Sequence, residues 1–330
     1  MSYEAGVSTG PNDLLDKLRI FLLADGWTVN LFAAIGAGYR LHVQKTAADA
    51  TVMYFNFRSA IAEKGTLICE DTDNDANGVV TGIVINGSTG YDVGNVWDQQ
   101  PGHPTYSDES FGSVMSPMST TAIPAYYFFT IDDTVNIAIE VTAGKFQFMS
   151  FGLLEKQGTI TGGQFFSASL ASYRPYYEWS STYIHYSPDY FSAAEGGYIK
   201  GAVYVDVDGV ASWRVARGIA EPDIMFPGVA SQQAVSNYSL RGLCSFFWTH
   251  APSTYNAMAA MCPIYTLLKR DDDNYSLIGW PSGVRFLNVT NYGPAEELTY
   301  GAETWTVFHA DGLEGDPGLM YCGFAFKKVV

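Results

Sequence analysis

The sequence predicts a mainly β protein with a minor α part: antiparallel sheets packed sandwich-like, an N-terminal helix and long loops. Three observations lead there. Strand-like runs follow one another as hairpins and meanders, not as strand–helix–strand units, which favours antiparallel pairing. Aromatics make up 15% of the 330 residues, led by 22 Tyr and 20 Phe, types that suit a pleated, half-buried surface. Only the N-terminal region carries a clear helical period.

That helix comes first. Thr9-Gly10-Pro11-Asn12-Asp13 supplies turn and cap chemistry, and Leu14, Leu15, Leu18, Phe21 and Leu22 recur at helical spacing. It ends near Asp25-Gly26, where glycine can take a positive φ. Residues 27–30 read as a short extended piece, 41–45 and 52–57 as strands, and 78–87 as a β-branched strand. Residues 88–120, rich in Gly, Pro, Ser and Asp, read as a long ordered surface loop. The clearest hairpin runs from 125–131 through Asp132-Asp133 to 135–141, its second arm alternating so that one face is buried and the other less so. Residues 146–151 extend it. An aromatic excursion without period fills 170–200, and strand signals resume at 202–207, 211–215, 264–270, 275–279, 284–289, 304–308 and 320–326. Residues 255–262 fit a strand or a short helix. With no repeat and no low-complexity linker, the chain is one unit of residues 1–330, or two intimately packed halves, 1–165 and 166–330.

A net charge of −16 with dispersed basic residues opposes direct binding to nucleic acid, since no basic stripe is present to displace counterions. Cys69, Cys244, Cys262 and Cys322 form no C-x-x-C pair and read as reduced thiols. The first residues, MSYEAGVSTG, lack the basic and apolar regions of a signal peptide, and no run reaches the length of a membrane helix. The expectation is a soluble protein made in a reducing cytosol.

The search for chemistry yields no catalytic, cofactor or metal residues to nominate. No G-x-S-x-G elbow, H-E-x-x-H pair or phosphate loop occurs. His42, His103, His185, His250 and His309 stand alone in sequence. Asp132-Asp133 and Glu296-Glu297 are adjacent carboxylates, which on a strand point to opposite faces. The acidic stretch CEDTDNDANG places Asp71, Asp73 and Asp75 at alternate positions. Counted as a calcium loop it has Ala76 where glycine is needed and Gly82 where a bidentate Glu is needed, so it reads as a polar turn, with a weak extracellular-type cation site as the alternative.

Several segments carry a resemblance: 12–18 with 24–27, 40–45, 87–92 with 100–102, Ala122-Ile123-Pro124-Ala125-Tyr126-Tyr127-Phe128-Phe129 onward through Phe151-Gly152, 161–165, 279–281, 285–289 and 305–308. Over nearly its whole length the chain resembles a family of virion structural proteins of tailed bacteriophages and prophages, from the neck, collar, tail or baseplate region. The likeness implies a virion component, assembled in the host cytoplasm as symmetric copies beside neighbouring virion proteins, and carries over no active site. The expected function is thus that of a non-enzymatic structural subunit. Aromatics at 173–191 suit a subunit interface. The alternative is a β-sandwich module that holds host-surface glycan on Tyr176, Tyr177 and Trp179. A third reading, a glycan hydrolase, would need two carboxylates facing across a groove.

Overall fold

A computed structural model describes residues 2–63, 80–106, 109–110, 112–115, 122–171, 199–207, 209–217, 240–242, 261–269, 275–310 and 322–329. Strand β1 (Ser2–Ser8) leads into helix α1 (Pro11–Ala24), then β2 (Thr28–Ile35), β3 (Gly38–Thr46), β4 (Val52–Glu63) and β5 (Val80–Ser88). Short strands β6 (Thr105–Tyr106), β7 (Glu109–Ser110) and β8 (Ser113–Met115) follow. A meander comes next: β9 (Ile123–Ile131), β10 (Thr134–Thr142), β11 (Lys145–Lys156), β12 (Thr161–Ala168) and β13 (Leu170–Ala171). The C-terminal part adds β14 (Ile199–Val207), β15 (Val210–Arg217), β16 (Leu240–Gly242), β17 (Thr266–Lys269), β18 (Tyr275–Pro281), β19 (Val284–Asn288), β20 (Glu296–Tyr300), β21 (Glu303–His309) and β22 (Cys322–Lys328). The protein is mainly β, and among the described residues every pairing between two named strands is antiparallel.

Apart from the small β6–β7 pair, the described strands form three layers. A ten-stranded sheet, in the order β1-β9-β10-β11-β12-β14-β15 with β18, β17 and β16 branching from β11, lies in the middle. A six-stranded sheet, β13-β8-β5-β4-β3-β2, packs with α1 on one face. A four-stranded sheet, β19-β22-β21-β20, packs on the other. Successive side chains of a strand point to opposite faces, so neighbours in the central strands enter different cores. Phe128, Ile137, Met149 and Phe166 join the core with α1, Trp27 and Phe55. Phe129, Ala138, Phe148 and Phe165 join the core with Phe286, Phe308 and Phe326. The sequence reading of 135–141, with one face buried and one less so, is corrected here. Thr134 through Ile139 are all buried, because a second sheet covers the other face. Strand β12 crosses residue 165, and the same sheet continues into β14 and β15.

The helix forms as its period demands. Pro11 occupies its first turn, Leu14, Leu15, Leu18, Phe21 and Leu22 are buried, and Gly26 follows at φ 84°. Besides β10, strand β11 serves two further partners in succession, and Gly152, at φ 136°, lies close to the changeover. Up to Leu153 it pairs with β12, and from Leu154 to Lys156 with β18. A Cβ on Gly152 would lie 2.1 Å from the Asp133 carbonyl oxygen, so only glycine fits that crossing without displacement.

Candidate functional site

Three polar groupings are embedded in the layers. At the junction of α1 and the central sheet, Asp25 accepts hydrogen bonds from the Thr130 hydroxyl at 2.8 Å and the Ser2 hydroxyl at 3.1 Å. The Lys45 ammonium stands 3.3 Å from Asp25 and 3.4 Å from Asp133, over the Trp27 ring. Burial pushes the Asp25 carboxyl up, but the Thr130 hydroxyl and the Lys45 charge outweigh it and hold it below the usual range. This pins the start of the chain, the helix end and the Asp132-Asp133 turn to one another. Asp132, at φ 52°, and Asp133 lie in that turn and not along a strand.

The second grouping crosses the six-stranded sheet. His42, Asn56 and Asn86 are neighbours across β3, β4 and β5 and are fully buried. The His42 Nδ1 and Asn56 Oδ1 are 2.7 Å apart, the Asn56 amide donates to Ser88 Oγ at 3.1 Å, and Ser88 Oγ donates to the Gly90 carbonyl at 2.8 Å. Tyr91 packs on the His42 ring at 5.2 Å. The His42 Nε2 is buried without a hydrogen-bond partner, so the neutral ring is the form that fits. Burial lowers its pKa, the Asn56 hydrogen bond opposes this, and Arg40 adds to it.

From that ladder springs the ordered loop expected from composition. Gln100 is fully buried beneath residues 89–103; its Oε1 accepts the Asp92 N–H at 2.8 Å and its amide donates to the Val96 carbonyl at 3.0 Å. His103 Nδ1 lies 2.9 Å from the Gln100 carbonyl, and the Trp213 indole donates to the Gly102 carbonyl at 2.7 Å. The third grouping lies inside the central sheet. Ser150 donates to Asn136 at 2.6 Å, and Asn136 to the Ser282 carbonyl at 3.0 Å, tying the meander to β18–β19.

His309 is half-buried, with Nε2 2.7 Å from the Tyr292 carbonyl. The structure does not bring His42, His103 and His309 together, as each serves its own loop or sheet. Glu296 accepts the Gly293 N–H and Glu297 pairs with Lys328, so these adjacent carboxylates face different partners. Cys262 carries a free thiol, raised in pKa by burial. Among the described residues no three His, Cys, Asp or Glu side chains gather as a metal site, and no helix is long and apolar enough to cross a membrane. His185, His250, the acidic stretch 69–78, the aromatics 173–191 and Tyr176, Tyr177 and Trp179 lie outside the described residues.

What the described surface offers is strand edge and aliphatic side chain. Val7, Ile20, Leu23, Val93, Val96, Val210 and Tyr300 are all exposed. Among the described residues the three larger sheets end in β1 and β15, with β16 ending the branch, in β2 and β13, and in β19 and β20. Sequence reasoning does not find these edges, because being an edge is a relation between distant strands. Compared with known proteins, the chain matches no family model and no curated protein sequence.

Proposed function

We propose that this chain is a non-enzymatic structural subunit of a tailed-phage particle, at the neck or in the tail or baseplate, acting by assembly with copies of itself and with neighbouring virion proteins. The observation that carries the reading is how the polar groups are used. His42–Asn56–Ser88 and Asn136–Ser150–Ser282 tie element to element inside the protein, and Asp25–Lys45–Asp133 does so at the half-buried end of α1, around a central sheet covered on both faces. A sheet covered on both faces has only its rims and loops left for partners, and a rigid body joined through rims suits repeated, symmetric contacts. The family resemblance read in the sequence supports the same role.

The test is the particle. In virions purified from a producing culture, peptides of this chain are expected at a fixed ratio to the other structural proteins. An antibody to the purified chain should decorate one place on the particle. Presence in the lysate with absence from purified particles would overturn the reading.

A further inference from the structure

Strand β2 reads TVNLFAAI, without a single charged residue, in a chain of net charge −16. It ends the six-stranded sheet, paired with β3 on one side and with no described strand on the other. The other described edge strands longer than three residues all carry charge: Glu4 on β1, Arg214 and Arg217 on β15, Arg285 on β19, and Glu296 and Glu297 on β20. Charge, proline and shortness are what keep an edge from pairing with another chain. Strand β2 has eight residues and neither charge nor proline; its one irregularity, a register shift between Val29 and Leu31, lies near its start and leaves Leu31–Ile35 regular. Six of its eight residues are half-buried and two, Thr28 and Ala34, are exposed. Arg19 of α1 stands 5.0 Å over the Phe32 ring and pairs with Asp16 at 2.7 Å.

We infer that β2 pairs antiparallel with β2 of a second copy of this chain, joining two six-stranded sheets across a two-fold axis. Self-pairing is the occupant that fits on charge. Two copies of a strongly acidic chain repel over most of their surface, but here they meet with no carboxylate on either strand. The register follows from the hairpin. Gly36 and Ala37 form a two-residue turn, and Ile35 faces Gly38, a flanking pair that exchanges hydrogen bonds in such hairpins. Bonding then alternates, so Ala34 and Tyr39 are a non-bonded pair. Consistent with this, the Tyr39 N–H turns away from β2 to Ser59 Oγ at 2.9 Å. The same alternation points the Phe32 and Ala34 backbone groups out from the free edge.

A two-fold axis perpendicular to an antiparallel pair places one residue opposite its own copy. The central outward-pointing residue is Phe32, so Phe32 faces Phe32 of the second copy. Leu31 then faces Ala33 of the second copy as a non-bonded pair, with Cα atoms about 4.5 Å apart, within disulfide reach.

This names a self-contact for the assembly reading and draws its biological meaning from it, while the contact itself is judged on the purified full-length chain. Sedimentation at micromolar concentration is expected to give twice the 36.1 kDa chain mass. Leu31→Lys should halve that mass with the circular dichroism spectrum unchanged, whereas Val210→Lys on the β15 edge should leave it dimeric. Oxidised Leu31→Cys/Ala33→Cys should run as a covalent dimer, and neither single variant nor the parent should. A parent chain that sediments as a monomer, a Leu31→Lys protein that stays dimeric, or a double-cysteine protein that fails to cross-link overturns the inference. Absence from virions would overturn the assembly reading alone.

Discussion

His42 carries its ring through the interior with one nitrogen held by Asn56 and the other without a partner. Protonation would place a second N–H, and a charge, in a buried position beside Arg40. The folded-state pKa is therefore below the unfolded value of about 6.5, and that of half-buried His309 is lowered for the same first reason, burial. The sign follows from linkage: below about pH 6.5 the unfolded chain binds protons that the folded chain resists, so stability is full above that pH and falls as pH drops. Asp25 acts in the same direction lower down, its contribution being lost as pH falls below the ordinary carboxylate range. A melting-temperature series from pH 7.5 to 5 should slope downward toward acid. In His42→Asn, whose amide can still donate to Asn56, that slope should be shallower. A flat profile in the parent protein would remove the argument.

Strands and turns show where one position decides an element. Gly152 and Gly209 both have positive φ, 136° and 78°. A Cβ on Gly209 meets nothing within 4 Å, whereas on Gly152 it runs into the Asp133 backbone. Gly209→Ala should therefore cost about 1 kcal/mol from backbone strain, and Gly152→Ala clearly more, since β11 must shift against β10 or lose β18. Urea unfolding of the two variants checks the order, and equal losses would show that the changeover is not fixed there. Legibility in sequence followed the same physics. Helix α1 and the β9–β10 hairpin were readable because Leu14 to Leu22 keep a helical period and 135–141 alternates. Strand β1, SYEAGVS, was not: it has no alternation of its own and becomes a strand by pairing with β9. Strand β12 hides behind Gly162 and Gly163, both at positive φ, and β20 is an exposed edge whose EELTY buries almost nothing. Strand β2 was read only as far as Asn30, since its later residues LFAAI neither alternate cleanly nor end in a charged turn. Its lack of charge was on view in the sequence; its place at a sheet edge was not.

The three layers share one central sheet, and this shapes how the whole molecule should unfold. Phe151 packs on Trp27 and Phe55 toward the helix side, and Phe148 packs on Phe308, Phe324 and Phe326 toward the four-stranded sheet. The two side chains lie on the same strand, three residues apart, and point into different cores. Truncating either leaves a cavity in a fully packed layer, a loss of about 3–5 kcal/mol for Phe→Ala. Because β9, β10 and β11 line both cores, neither outer layer can keep its packing once the central strands separate. Phe148→Ala and Phe151→Ala should thus each lower the midpoint of one shared transition. Trp27 reports the first core and Trp305, buried against the outer face of the four-stranded sheet, reports the far side. In variants that keep either Trp27 or Trp305 as the sole tryptophan, the other six of the seven replaced by Phe, fluorescence and circular dichroism should trace coincident curves in both cavity variants. Two separated transitions, with Phe148→Ala moving only the one seen from Trp305, would show that the layers fold as independent units joined by a common sheet.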